Sequence, residues 1–309
     1  MTQEFLRSVI KSSRAPRYTS YPPANRFSPA VGRAQTTDWL GRVAPGDDVS
    51  LYVHVPFCRR LCWFCACRTQ GTLSDAPLDR YLDHLETEIA LIRQALPGDI
   101  RVSQLHLGGG TPTLLSPDRL RRLAAMLRAF PLDTAHEISV EIDPCEFDAA
   151  RMEALAEMGL TRGSLGVQDF DPKVQQAIGR MQSHEATRQA VALLRDAGIG
   201  SLNMDLLFGL PHQTVGTLSA TLNRVLDLAP DRIALYGYAY VPWMARRQTL
   251  IRDQDLPDAE ARLDLEAYAR DRLLGAGYDP VGIDHYARPG DSMAQAARTG
   301  TLRRNFQGS

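Results

Sequence analysis

The chain has 309 residues, of which 44% are hydrophobic and 23% are charged, and its net charge is −1 at pH 7. This balance gives no general attraction to nucleic acid or to a membrane surface, and no apolar run approaches the roughly 18 residues of a membrane span. The N-terminus lacks the apolar core of a secretory signal, and five cysteines with four packed together make a poor disulfide framework. We therefore expect a cytoplasmic protein in a reducing compartment, with no nucleic-acid partner and no membrane association.

Apolar periodicity along the chain predicts strands that alternate with helices. Residues 1–48 are predicted to be irregular, and the proline-rich stretch 16–23 is predicted to be an extended arm because its prolines exclude a helix. The predicted strands are 51–57, 102–107, 138–142, 164–167, 202–208 and 233–238, with a last apolar piece at 281–283. The predicted helices are 78–95, 117–130, 149–158, 173–197, 215–228 and 258–275, and Ser116 is the predicted N-cap of the second.

This alternation indicates a parallel sheet covered by helices. Six β/α units followed by a short seventh strand predict an α/β fold, an incomplete (β/α)6 barrel of the TIM type. We expect an N-terminal arm at 1–48 and the partial barrel at 49–285.

Polar or glycine-rich residues follow each of the six main predicted strands. In chain order they are the cysteines from 58 onward, 108–113, Glu141 and Asp143, Gln168 and Asp169, Asp205 with 209–212, and 238–240. In barrels of this kind the C-terminal ends of the strands meet at one mouth, where active sites lie. Any one of these features is explained by a turn or a helix cap, but their convergence predicts an active site at the mouth.

Four of the five cysteines lie between Cys58 and Cys67, directly after the first predicted strand. Cys58, Cys62 and Cys65 have the spacing C-x3-C-x2-C, and thiolates are the usual ligands of iron–sulfur clusters. Three ligands on a four-iron cube leave one iron open to a small molecule. This arrangement indicates a cluster that takes part in catalysis rather than one that only stores electrons. A structural zinc site normally gathers its cysteines as two separated pairs, and a disulfide needs an oxidising compartment. From the residues alone, zinc, a disulfide and unreactive buried cysteines remain as alternatives.

The cysteine spacing and the glycine-rich turn at 108–110 resemble the radical S-adenosylmethionine enzymes. In that superfamily the open iron of a 4Fe–4S cluster binds S-adenosylmethionine, and reduction yields a 5′-deoxyadenosyl radical that abstracts hydrogen from the substrate. The turn is expected to let backbone N–H or C=O groups approach the methionine part of the cofactor. Glu141 is expected to accept hydrogen bonds from a ribose or an amino group, and Trp63 and Phe64 to cover the cluster or stack on adenine.

Longer motifs resemble one family, the oxygen-independent coproporphyrinogen III oxidases. The matching stretches are PRYTSYP at 16–22, 52–58, Cys67, 104–106, 108–113, 141–144, 166–170, 205–211, 284–288 and 304–308. The resemblance implies that two propionate side chains of coproporphyrinogen III become vinyl groups with loss of CO2, which gives protoporphyrinogen IX in heme biosynthesis. It also implies an electron donor such as a flavodoxin or a ferredoxin, and we expect a monomer.

The resemblance further assigns a 4Fe–4S cluster, two S-adenosylmethionine molecules and their contacts, with no catalytic side chain. The implied cluster ligands are Cys58, Cys62 and Cys65. The implied contacts of the first S-adenosylmethionine are Tyr52, Gly109 and Glu141. The implied contacts of the second are Phe64, Gly110, Thr111, Gln168, Arg180, Asp205 and Ala239.

Three further expectations follow from the resemblance. Cys67 would lie near the cluster without ligating it. The arm would cover the substrate through Arg17, Tyr18 and Tyr21, unless it only packs against the barrel. Family members continue past the position of Ser309, so the chain looks like an N-terminal fragment, a truncated reading frame or a degenerate copy, with 286–309 as the start of a linker to a missing C-terminal domain.

Two alternative functions stay open. A heme-binding or heme-chaperone relative is one, although such relatives generally lack the fourth cysteine and the arm. An inactive truncated remnant, stabilised by zinc or free of metal, is the other.

Overall fold

The computed structural model describes residues 26–303. Its strands are β1 (Asp48–Val55), β2 (Phe57–Cys58), β3 (Gln70–Gly71), β4 (Arg101–Gly109), β5 (Leu132–Ile142), β6 (Arg162–Gln168), β7 (Ser201–Phe208), β8 (Arg232–Gly237), β9 (Asp279–Val281) and β10 (His285–Ala287). Its α-helices are α1 (Arg33–Gly41), α2 (Ala76–Ala95), α3 (Pro117–Leu127), α4 (Ala149–Met158), α5 (Pro172–Ala177), α6 (His184–Asp196), α7 (Val215–Asp227), α8 (Ala259–Gly275) and α9 (Ser292–Thr299). Among the helices of this range, none combines the length and the apolar character needed to cross a membrane.

One sheet organises the molecule, with strand order β1-β4-β5-β6-β7-β8-β10-β9. The pairs from β1 to β8 are all parallel. Sequential parallel strands with intervening helices confirm the predicted partial TIM-like barrel. The small pair β2–β3, also parallel, lies outside this sheet and carries the start of the cysteine loop.

The core lies between the sheet and the helices that cover it. Leu107 on β4, Leu165 on β6, Leu120 on α3 and Leu194 on α6 have no measurable exposure, and each such burial is worth about 1.5–3 kcal/mol. Helix starts follow the predicted chemistry, since the Ser116 hydroxyl accepts a hydrogen bond from the backbone N–H of the third residue of α3. A cap of this kind stabilises a helix by about 1 kcal/mol.

The helix α1 corrects the prediction that residues 1–48 are irregular throughout. None of its residues is buried, so it has no apolar stripe from which the sequence could predict it. The candidate arm contacts Arg17, Tyr18 and Tyr21, and the motif at 304–308, lie outside the described residues.

The single helical stretch predicted at 173–197 is wrong, because the structure divides it into α5 and α6. Gly179 takes φ +65° between the two helices, a conformation that favours glycine, and Ser183 then caps α6 through a hydrogen bond from the Ala186 backbone N–H. Because of this break, Arg180 and Gln182 lie in the loop between the two helices. In one continuous helix they would instead have been helical residues.

The C-terminal end of the sheet also differs from the prediction of one seventh strand at 281–283. The observed strand β9 ends at Val281, and β10 inserts antiparallel between β8 and β9. Helix α9 then packs against β9, with Ala294 buried beside Val281 and Ala287. Residues as far as Thr299 therefore belong to the barrel, in a stretch predicted to begin a linker.

Candidate functional site

The cysteine loop follows β2 and is fixed to the barrel by backbone hydrogen bonds. The Trp63 N–H donates to the Ile178 carbonyl at 2.9 Å, and the Thr72 N–H donates to the Cys58 carbonyl at 3.1 Å. All five cysteines of the chain are free, so the disulfide alternative is not realised, and Cys62 is buried. Three thiols are therefore presented from one ordered loop.

Polar groups of the barrel face the sulfur atoms of this loop. The Thr111 hydroxyl donates to Cys58 Sγ at 3.5 Å, and Arg180 Nη1 donates to Cys62 Sγ at 3.5 Å. A hydrogen bond from the Cys67 thiol, opposed by burial, lowers the pKa of Cys65 to about 6, with the charges of Arg247 and Arg180 adding to the effect. Hydrogen bonding and positive charge thus stabilise the anionic form of Cys65.

The three thiols predicted as cluster ligands also affect one another. Burial raises the pKa of Cys58, and the charges of Cys65 and Cys62 raise it further. Within residues 26–303, no group of three or more Cys, His, Asp or Glu side chains is arranged to hold a single metal ion. A four-iron cube attaches each thiolate to a different iron, so its ligands lie farther apart than those of one ion.

The glycine turn at the end of β4 packs tightly against the cysteine loop. A Cβ on Gly110 would lie 2.5 Å from the Phe57 carbonyl oxygen, and Gly109 has φ +109°. The N–H groups of Gly109, Gly110 and Thr111 donate to Glu141 Oε2, the Val55 carbonyl and the Phe57 carbonyl at 2.9, 2.7 and 2.8 Å. Of the two kinds of backbone group expected to approach a ligand, these N–H groups are already bonded to protein atoms, which leaves the carbonyl oxygens of the turn for a ligand amino group.

Glu141 at the end of β5 belongs to a chain of polar contacts that includes Tyr52. His106 lies 3.4 Å from Glu141 Oε1 through Nε2 and 2.6 Å from the Ser139 hydroxyl through Nδ1. The His106 ring stacks on Tyr52 with centroids 5.7 Å apart and an interplanar angle of 13°. The sequence brought Tyr52 and Glu141 into the site but missed His106, which joins them.

Asp205 on β7 faces the same interior. Its carboxylate accepts from Asn203 Nδ2 at 2.7 Å and from the Ser164 hydroxyl at 3.4 Å. Burial, followed by the negative charge of Glu141, raises the pKa of Asp205 to about 6, against the opposing effect of these hydrogen bonds. Tyr52, Glu141 and Asp205 together line a cavity of about 590 Å³, a volume in the range of small-ligand sites.

Arg180 and Gln168 form a second group at the mouth. The Arg180 side chain donates to the Gly166 carbonyl and to Gln182 Oε1, both at 2.9 Å, and pairs with Asp143 at 3.3 Å. Its Nε is buried without a hydrogen-bond partner in the described part of the chain. Gln168 has φ +67°, an uncommon backbone conformation for this residue type that is worth attention near a site.

Phe64 and Ala239 are brought together by a residue that the sequence did not indicate. Gln248 Nε2 donates to the Phe64 carbonyl at 2.7 Å and to the Ala239 carbonyl at 3.1 Å. Phe64 and Trp63 pack against the buried side chains of Ile178 and Tyr238. No local pattern could have found Gln248, because its partners are backbone carbonyls that lie elsewhere in the sequence.

Asp169, one of the predicted polar strand ends, is turned away from the mouth. Its carboxylate has no exposed surface and accepts from the Thr221 hydroxyl and Gln213 Nε2, both at 2.7 Å. Its role is to join β6 to α7 and to the loop before that helix.

Comparison with known proteins identifies the family to which this chain belongs. Residues 52–225 match the Radical SAM superfamily. The chain is 56% identical over 303 residues to an oxygen-independent coproporphyrinogen III oxidase of Paracoccus denitrificans, covering 98% of this chain and 67% of the relative. The chain belongs to the oxygen-independent coproporphyrinogen III oxidase family.

Two further members show how far this likeness extends. An oxygen-independent coproporphyrinogen III oxidase of Cereibacter sphaeroides is 51% identical over 297 residues, covering 96% of this chain and 66% of the relative. The solved structure of coproporphyrinogen III oxidase from Escherichia coli, described as a radical SAM enzyme, superposes with a TM-score of 0.91 at 41% identity and covers 97% of this chain and 68% of that one. The chain spans about two thirds of the length of the relatives it matches.

Membership in the radical SAM superfamily implies a 4Fe–4S cluster and S-adenosylmethionine, and the site residues fit both. Iron–sulfur clusters are bound by cysteine thiolates, and this loop presents several thiols together. The hydroxyl of Thr111 and the guanidinium of Arg180 donate hydrogen bonds to two of the sulfurs, and such bonds influence the reduction potential of a cluster. The buried, unpartnered Nε of Arg180 offers a donor to a carboxylate, and the polar cavity lined by Tyr52, Glu141 and Asp205 offers acceptors to ammonium and hydroxyl groups, all of which S-adenosylmethionine carries.

Proposed function

We propose that this protein catalyses the oxygen-independent oxidative decarboxylation of coproporphyrinogen III to protoporphyrinogen IX in heme biosynthesis. The observation that carries the proposal is the contact of the cysteine loop with Arg180 and Thr111, beside the glycine turn that is bonded to Glu141, in a chain 56% identical to a relative of that name. Each propionate must lose one hydrogen atom, one electron and CO2 to become a vinyl group, so the site must direct a one-electron reaction.

Cys58, Cys62 and Cys65 would hold the 4Fe–4S cluster, whose role when reduced is to cleave S-adenosylmethionine and so start hydrogen abstraction from a propionate. The protein contributes position and electrostatics. Arg180 and Thr111 place hydrogen-bond donors on two of the sulfurs, which favours the charge that these sulfurs carry as ligands. Phe64 and Tyr238 supply apolar surface on the same side, which excludes water from reactive groups.

We propose two S-adenosylmethionine sites, because the candidate contacts fall into two groups. Tyr52, Gly109 and Glu141 are joined through His106 and the glycine turn and would form the first. Arg180, Gln168, Phe64 and Ala239, with Gly110 and Thr111, would form the second. Asp205 is assigned to the second group and interacts electrostatically with Glu141 of the first, so the two sites would adjoin at this carboxylate.

The further partners are proposed on chemical grounds. A small cytoplasmic electron carrier such as a flavodoxin or a ferredoxin would reduce the cluster, and an acceptor must take the electron left after decarboxylation. We propose that the protein works in the cytoplasm as a monomer. Cys67, whose thiol hydrogen-bonds with Cys65, would support that ligand without binding iron.

The proposal is tested by reconstituting the protein with iron and sulfide without oxygen and measuring iron, visible absorbance and product. The wild type should bind about four irons per chain and, with reductant and S-adenosylmethionine, should convert coproporphyrinogen III to a product with two vinyl groups. Cys62→Ala should lose the cluster absorbance, whereas Cys145→Ala should keep it, because Cys145 is exposed and lies outside the loop.

Several outcomes would contradict the proposal. Unchanged cluster absorbance in Cys62→Ala would refute the ligand assignment. Zinc in place of iron would favour an inactive remnant. Tight heme binding without vinyl product would favour a heme-handling protein.

A further inference from the structure

The 3₁₀ turn Arg246–Leu250 lies far along the chain from the cysteine loop but is bonded to it directly. Gln248 in this turn is 1% exposed. Its Oε1 accepts from the Val241 N–H at 2.6 Å, while its Nε2 donates both of its hydrogens, one to Phe64 and one to Ala239. Every hydrogen-bonding atom of this amide is therefore used, on three separate backbone positions.

The neighbouring residue makes a second connection on the outside of the loop. Arg247 Nη2 donates to the Cys67 carbonyl at 3.0 Å and to the Thr69 hydroxyl at 2.8 Å. The other side of the loop is held independently, by the Trp63 N–H on Ile178 and by Arg60 Nη1, which donates to the Met181 carbonyl at 2.6 Å. The turn thus secures the part of the loop from Phe64 to Thr69.

We propose that Gln248 is a positioning residue that sets the cysteine loop against the end of β8 and thereby forms the second S-adenosylmethionine site. This inference rests on the proposed function, in which Phe64 and Ala239 contact that cofactor. The two residues come from different elements, and the Gln248 amide bonds directly to the backbone of both. Without this amide the carbonyl groups of Phe64 and Ala239 would lose the one donor that joins them, and each such hydrogen bond is worth about 1 kcal/mol.

The first test uses protein without iron and follows alkylation of Cys65, which lies in the part of the loop that the turn holds, by iodoacetamide and peptide mass spectrometry. Gln248→Met removes all three hydrogen bonds at similar volume and should raise the Cys65 rate by about tenfold, with the circular dichroism spectrum unchanged and Cys145 as the internal reference. Thr249→Ala, in the same turn but exposed, should leave the rate at the wild-type value. An unchanged Cys65 rate in Gln248→Met would overturn the proposal.

Gln248→Glu separates a positioning role from a local structural one. A carboxylate keeps an acceptor for the Val241 N–H but has no donor for the two carbonyls, so Gln248→Glu should behave like Gln248→Met. Wild-type behaviour would mean that the residue only shapes its own turn. Gln248→Asn, whose amide is one methylene shorter, carries the same test in milder form if the other variants do not fold.

The second test measures S-adenosylmethionine binding to the iron-loaded protein by equilibrium dialysis. Gln248→Met should keep the wild-type iron content and the first binding event, and should weaken the second by about tenfold. Equal weakening of both events would overturn the assignment to the second site. If the wild type binds only one molecule, the two-site function fails, while the alkylation rates still decide whether Gln248 positions the loop.

Discussion

The carboxyl group of Asp205 should make the stability of the protein depend on pH in a defined direction. Burial and the charge of Glu141 raise the pKa of Asp205 from its ordinary 3.8 to about 6. The folded state therefore holds this proton more tightly than the unfolded state does. Stability is highest when both states are protonated, falls as pH rises from about 4 to about 6, and is constant above that.

The size of the effect follows from these two pKa values. Ionisation of one group with pKa 3.8 unfolded and about 6 folded lowers the free energy of unfolding by about 1 kcal/mol at pH 4.5 and by about 3 kcal/mol at pH 7.5. Asp205→Asn has no ionisable group, so it does not lose this energy. The stability of the variant relative to the wild type should therefore increase by about 2 kcal/mol between the two pH values.

The assay is urea unfolding of iron-free protein under reducing conditions, followed by circular dichroism at both pH values. Comparing the variant with the wild type at each pH cancels the titration of all other groups. Glu141→Gln provides a second check, since removing that charge should lower the pKa of Asp205 and reduce the effect. A relative stability that changes by less than about 0.5 kcal/mol, or in the opposite direction, would refute this account of Asp205.

Two further substitutions test the packing around the site, each by urea unfolding against a matched control. Gly110→Ala would place a Cβ 2.5 Å from a backbone carbonyl oxygen and should destabilise the fold by about 1–3 kcal/mol. Gly98→Ala is the control, because a Cβ there meets no atom within 4 Å, and it should not destabilise the fold. Equal effects of the two substitutions would show that the glycine turn can relax. Glu137→Gln should cost about 3 kcal/mol, because Glu137 accepts from the buried Arg162 at 2.7 Å inside the barrel. Glu157→Gln breaks an exposed ion pair and should change stability by less than about 1 kcal/mol, so a larger change than in Glu137→Gln would contradict the assignment.

The sequence predicted the parallel barrel well because each parallel strand is a short apolar run between turn residues. It failed where structure depends on something other than an apolar pattern. Helix α1 has no buried face, and β10 is a three-residue strand whose place between β8 and β9 is set by pairing with them. A single helix was predicted at 173–197 because the apolar residues on both sides of Gly179 continue a helical spacing. The positive φ of Gly179 interrupts the helix there.

The candidate site divides in the same way. Motifs indicated Tyr52, Glu141 and Asp205 because each lies in a recognisable stretch, whereas Arg180 lies outside those stretches and was assigned only through the family resemblance. They could not show that the glycine N–H groups are already bonded to protein atoms. Gln248 was missed because its three bonds depend on backbone positions that meet only in the folded chain.

The ties that hold the cysteine loop, at Trp63, Arg60 and Gln248, all run between protein groups. Small zinc domains fold only as their metal arrives, but here the socket is built by the polypeptide itself. Because none of these bonds uses a cysteine sulfur, a variant that loses one cluster ligand keeps every one of the ties that hold the loop to the barrel.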